Sequence, residues 1–143
     1  MTHQPIQAGR FLANNRIIVI GLGGIGSILS TFLSQFLHSL RRECALYLVD
    51  GDTYESRNRE RMLFSRLANK AVVKAEELAK GFGGFVHCRP VPSDVTSENI
   101  ANLINEGDLV FLCVDNHATR LLTSQHCEQL KDIALISGGN DGV

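Results

Sequence analysis

Residues 17–26, Ile-Ile-Val-Ile-Gly-Leu-Gly-Gly-Ile-Gly, constrain the fold more than any other stretch of this chain. Four β-branched apolar residues run, with no polar alternation, into a turn dominated by glycine. An unbroken apolar run of this length reads as a strand covered on both faces, as in a parallel sheet. The glycines then permit a tight turn, close approach of backbone to a ligand, and close packing of a helix on the strand. Ser27–Leu33 continues with helical apolar spacing. Backbone N–H groups at the start of that helix, and its dipole, favour an anion. The stretch therefore reads as a phosphate cradle in the first βα turn of a nucleotide-binding fold. It does not say which nucleotide, or what is done to it.

A chain of 143 residues is long enough for one domain with a real core. Residues 1–15 are polar and irregular and read as an N-terminal arm, leaving 16–143 as the nucleotide-binding domain. With 14 basic and 15 acidic residues, charge gives no argument for nucleic acid or an anionic membrane as partner, and neither is expected. No stretch is long and apolar enough to span a membrane, and the N-terminus lacks the basic flank and apolar run of a signal peptide. A cytoplasmic protein is expected. Its four cysteines form no Cys-x-x-Cys pair, which removes support for a zinc ribbon. Cys44, Cys88 and Cys113 fall in expected strands and Cys127 in an expected helix, where each reads as a small buried hydrophobe.

The pattern predicts strands at 16–21, 44–50, 85–91, 108–114 and 133–137. Helices are expected from Gly24 or Ile25 to about Leu40, over 70–80, over 98–105 and over 116–130. In the first helix, Ile28, Leu29, Phe32, Leu33, Phe36, Leu37 and Leu40 follow amphipathic spacing and mark the expected buried face. Residues 51–68 are charged and irregular, with a helical turn expected around 58–62. Asn69 is placed to cap the second helix and Gly81 to stop it. The alternation predicts an α/β, Rossmann-like, doubly wound and mainly parallel sheet of about five strands, with helices on both faces. Ligands in such sheets sit outside the carboxyl ends of the strands.

Asp50 ends the second strand, where an acid can accept the hydroxyls of a ribose, or can be a solvated turn carboxylate. Asp52 shares its face if the chain stays extended. Asp115 ends the fourth strand. It suits Mg²⁺ beside a triphosphate, and it equally suits a helix cap together with Asn116. Arg61 supplies a planar fork and Lys74 a compact point charge, the pair that phosphate recognition wants. Each is also a residue type commonly left in solvent.

Taken together, Gly21-Leu-Gly-Gly-Ile-Gly26, Asp50-Gly-Asp52, Asn58, Arg61, Lys74, and Asp115-Asn116 with Arg120 resemble the adenylating superfamily of ThiF, MoeB and HesA, which includes the ubiquitin-activating enzymes. Order and spacing agree from about Arg16 to Gly139. The resemblance implies that Gly21, Gly23, Gly24 and Gly26 line the phosphates of ATP and that Asp50 holds the ribose. It implies that Asn58, Arg61 and Lys74 surround the triphosphate, Arg61 and Lys74 acting in catalysis. Asp115 would bind Mg²⁺ and Arg120 would support its loop. The implied reaction is attack of a protein's C-terminal carboxylate on the α-phosphate of ATP, giving an acyl-adenylate and pyrophosphate. The implied partner is a ubiquitin-like β-grasp protein of the ThiS or MoaD type ending in Gly-Gly, and a homodimer is expected.

Relative to that family the fold reads as truncated, because members continue beyond the fifth strand. Met62 stands where a Gln is common, and the arm lacks the family's Arg-Tyr-x-Arg-Gln stretch. No thioester cysteine is assigned. Two other functions fit parts of the pattern. A nicotinamide-dependent oxidoreductase would use the glycine turn and Asp50 but leaves Arg61, Lys74 and Asp115 unexplained. A non-catalytic nucleotide-binding interaction module would use the same turn without the chemistry.

Overall fold

The computed structural model describes residues 15–138, so all but Asn15 of the expected arm lies outside the described residues. Five strands, β1 (Arg16–Ile20), β2 (Cys44–Val49), β3 (Val86–Val91), β4 (Leu109–Leu112) and β5 (Ala134–Ser137), form one parallel sheet in the order β3-β2-β1-β4-β5. They alternate with four α-helices, α1 (Gly24–Ser39), α2 (Lys70–Phe82), α3 (Ile100–Leu103) and α4 (His117–Glu128), and with a 3-10 helix, Ser56–Glu60. The expected architecture is present. The chain leaves the sheet at edge strand β3 and returns beside β1, so strand order reverses between β1 and β4. That reversal opens a crevice above the strand ends.

The apolar run explains why β1 is central. Its side chains alternate between faces, and both faces are covered. Ile17 and Val19 pack with Leu46 and Leu48 under Leu33 and Leu37 of α1 and Ala71, Ala75 and Leu78 of α2. Ile18 and Ile20 pack with Val110 and Leu112 under Ile100, Leu103 and Cys127. At the opposite end from the crevice, the buried Asp108 carboxylate pairs with Arg16 at 3.1 Å and accepts the Asn105 N–H at 2.8 Å. These contacts tie the first strand to the start of β4. No helix among the described residues is long and apolar enough to cross a membrane.

The expected face of α1 is corrected in part: Leu33 and Leu37 are buried as expected, but other expected positions are not. Its buried residues are Gly26, Ser27, Ser30, Leu33, Ser34 and Leu37, whereas Ile25, Ile28, Phe32 and Phe36 are 44–64% exposed. Small side chains let a helix approach its neighbours closely, and the Ser30 hydroxyl donates internally to the Gly26 carbonyl at 2.6 Å. Apolar spacing alone finds an apolar stripe, and here the stripe and the packed face diverge. Gly81 does not stop α2, which ends at Gly83 with its N–H bonded to Ala79 O at 3.1 Å. An interior glycine costs about 1 kcal/mol, which Phe82 offsets by packing against the core. The 3-10 helix begins two residues ahead of the expected turn because Asn58 Oδ1 accepts the Glu55 N–H. α3 is shorter than expected because the Asn99 side chain is spent on the loop before it. β4 ends at Leu112, which puts Cys113 just beyond the strand.

Candidate functional site

The glycine turn is built by steric need. Gly21 has φ +93°, a region L side chains rarely adopt, and a Cβ there would press on Val114 and Cys113 of the neighbouring strand end. A Cβ on Gly26 would run into the Gly21 carbonyl, so this glycine lets α1 start hard against the turn. Gly23 and Gly24 face open space and leave the backbone accessible.

Asp50 locks the turn from the next strand. One carboxylate oxygen accepts the Leu22 N–H at 2.7 Å and the other the Asp52 N–H at 2.8 Å. Burial raises its carboxyl above the ordinary value, opposed by those two backbone donors and by the Lys70 ammonium. Asn69 ties the same turn to α2: its amide donates to the carbonyls of Asp50 and Asp52, and its oxygen caps the helix through the Val72 N–H. Lys70, the first residue of α2, is thereby held 3.8 Å from the Asp52 carboxylate and over the Tyr54 ring.

A cavity of about 860 Å³ opens above this assembly. Of the residues singled out in the sequence, it is lined by Gly21, Gly23, Gly24, Asp50, Asp52, Asn58, Arg61, Asp115 and Asn116. Gly26 lies behind the wall. Arg120 also stands back: it donates to the Val114 carbonyl at 3.3 Å and to the Ser137 hydroxyl at 2.9 Å, bracing the loop that carries Asp115. Asn116 caps α4 through the N–H groups of Ala118 and Thr119, which leaves the neighbouring Asp115 carboxylate exposed on the wall.

Lys74 stands apart from these residues. It is absent from the cavity wall and only 7% exposed, and burial pushes its ammonium pKa down. The lysine on the wall is Lys70, which joins Arg61 there. Residues four apart share a helix face, and Lys74 sits one turn, about 6 Å, further along the axis than Lys70. The signal was available in the sequence, since the residue directly after the Asn69 cap must stand at the crevice end of the helix. Asp94, three residues past β3, also lines the cavity. A search of every strand end, β3 included, would have found it.

The four cysteines are free. Burial raises all four thiol pKa values, Cys88 to about 11 with a small addition from nearby Cys44. None is prepared as a thiolate nucleophile.

The crevice at the switch point, walled by a glycine turn, strand-end carboxylates and two cations, belongs to a Rossmann-like domain. Residues 7–143 match the ThiF family, and the chain belongs to that family. It is 32% identical over 130 residues to the adenylyltransferase and sulfurtransferase MOCS3 of Dictyostelium discoideum, covering 89% of this chain and 29% of that protein. It is 28% identical to the molybdopterin-synthase adenylyltransferase of Escherichia coli, covering 89% of this chain and 50% of the relative. Escherichia coli tRNA N6-threonylcarbamoyladenosine dehydratase TcdA superposes with a TM-score of 0.71 at 24% identity, covering 94% of this chain and 56% of the other, and shares the fold. The Escherichia coli MccB structure with ATP, at 22% identity and a TM-score of 0.65, covers 83% of this chain and 35% of its own, and shares the fold. The chain thus spans between about a quarter and a half of the length of the curated relatives it matches.

Proposed function

We propose that this domain binds ATP with Mg²⁺ and adenylates the C-terminal carboxylate of a ubiquitin-like β-grasp protein. The observation that carries the reading is the convergence of Arg61 and Lys70 on one cavity with the open glycine turn, Asp50 and Asp115. A nicotinamide-dependent oxidoreductase leaves Arg61, Lys70 and Asp115 without an assigned role. In the proposed step, a carboxylate oxygen of the partner attacks the α-phosphorus. An O–P bond forms, and the bond from the α-phosphorus to the bridging oxygen of pyrophosphate breaks. The nucleophile comes with the substrate, so the protein must position the reactants and neutralise charge on the phosphate oxygens. Arg61 offers a fork and Lys70 a point charge for those oxygens. N–H groups at Gly23 and Gly24 stand where α1 begins and add its dipole. Asp50 accepts from the ribose.

Asp115 is the residue that would hold Mg²⁺. Its carboxylate is exposed on the wall and has no hydrogen-bond or ion-pair partner among the described residues, and a hard oxygen donor beside phosphates suits that ion. When bound, the metal would neutralise phosphate charge. The homodimer implied by the family resemblance belongs to the same proposal. The exposed stripe Ile25, Ile28, Phe32 and Phe36 supports it, because apolar residues aligned on one helix mark a surface suited to burial.

Calorimetric titration of this chain separates the readings. ATP with Mg²⁺ is expected to bind in the micromolar range while NAD does not saturate. Saturable NAD binding without ATP binding would overturn the adenylation reading in favour of an oxidoreductase.

A further inference from the structure

Asp94 stands on the cavity wall without a role in the chemistry above. Strand order sets the order of the loops over the sheet: first the β3 loop with Asp94, then Asp50 and Asp52, then the glycine turn, then Asp115. A nucleotide whose phosphates lie over the glycine turn extends its nucleoside toward β2 and β3. A carboxylate at that end repels phosphate and takes only donors.

Asp94 is fixed in place. One of its oxygens accepts the Gly51 N–H at 3.2 Å, and a Cβ on Gly51 would overlap the carboxylate. Its carbonyl accepts from the Asn99 amide at 2.8 Å, and Asn99 in turn accepts the Thr96 N–H at 2.8 Å. Such bracing lowers the cost of ordering on binding. One oxygen from each of Asp50, Asp52 and Asp94 falls within a mutual 4.8 Å. Both Asp50 oxygens already accept a backbone N–H, so the carboxylate has only part of its accepting capacity left. With O–H···O bonds near 2.7 Å, a vicinal diol can bridge two carboxylates at this separation.

We propose that Asp94 is a second ribose acceptor, its carboxylate taking one hydroxyl of the diol while Asp50 takes the other. The cluster thereby also rejects a nucleotide phosphorylated on that diol. This assignment rests on the nucleotide reading of the cavity.

The test is titration of the wild-type chain, Asp94→Ala and Gly51→Ala with Mg²⁺ complexes of ATP, 2′-deoxy-ATP and 3′-deoxy-ATP, with thermal unfolding to verify the fold. The wild type is expected to bind at least one deoxy nucleotide about tenfold or more weaker than ATP, the strength of a hydrogen bond to a charged acceptor. In Asp94→Ala the discrimination against one deoxy nucleotide should fall to within about twofold, with ATP itself weakened about tenfold, while any discrimination against the other, whose missing hydroxyl faces Asp50, persists. Gly51→Ala, which displaces the carboxylate without removing it, should show the same loss and serves if Asp94→Ala does not fold. Unchanged discrimination in a folded variant overturns the role of Asp94 while leaving ATP binding intact. Failure of the wild type to bind ATP overturns the nucleotide reading and this assignment with it.

Discussion

Lys70→Ala and Arg61→Ala are each expected to weaken binding of ATP with Mg²⁺ by about 10- to 100-fold, whereas Lys74→Met leaves it within about twofold. The first two remove a charge-assisted contact to phosphate, worth about 1.5–3 kcal/mol. Both side chains stand on the cavity wall with the glycine turn. In the adenylation rate the loss should be larger, about 10²–10³, because charge grows on the leaving group as the reaction proceeds. Lys74 is buried in α2 with its pKa pushed down by that burial. A methionine of similar length removes the cost of burying an ammonium and leaves stability unchanged or higher. Calorimetry and thermal unfolding of the three variants give the comparison. Loss of ATP binding in Lys74→Met, with Lys70→Ala unaffected, would show that the sequence spacing is the better guide to the phosphate cation.

Asp50→Ala is expected to damage stability and binding together. The Asp50 carboxylate satisfies the N–H groups of Leu22 and Asp52, and Leu22 is fully buried. Truncation leaves the Leu22 N–H without its acceptor, at a cost of about 1–3 kcal/mol. The glycine turn then loses its link to β2, so the backbone donors facing the cavity lose their fixed geometry. Thermal unfolding should show the destabilisation, and ATP affinity should fall beyond measurement. A variant with wild-type melting and wild-type affinity would mean that Asp50 neither holds the turn nor faces the ribose.

How far the sequence could be read depended on whether one local rule governed each residue. β1 was legible because an unbroken β-branched run is compatible with few environments. Gly21 and Gly26 were legible because a positive φ and a close helix approach both exclude a Cβ. Asp50 and Asp115 could be placed on one side of the sheet because parallel strands deliver their ends there, whereas Asn58 came from the family resemblance and Arg61 from its charge in the irregular stretch after β2. The packed face of α1 was not. Apolar spacing selected Ile28, Phe32 and Phe36, while close packing selected Gly26, Ser27, Ser30 and Ser34, and only the tertiary neighbours decide between the two. Lys70 and Lys74 illustrate a finer limit. They share a helix face, and one turn of rise separates a cavity wall from a buried position. Asp94 lies three residues past β3 and was open to a search of strand ends, but the room that Gly51 makes for its carboxylate is visible only in the structure.

The most direct test of adenylation at this cavity is exchange of labelled pyrophosphate into ATP by the full-length protein, with a ubiquitin-like β-grasp partner ending in Gly-Gly. Exchange that requires Mg²⁺ and the intact partner C-terminus, and that falls about 10²–10³-fold in Arg61→Ala, is the predicted result. Exchange that persists undiminished in both Arg61→Ala and Lys70→Ala would contradict it.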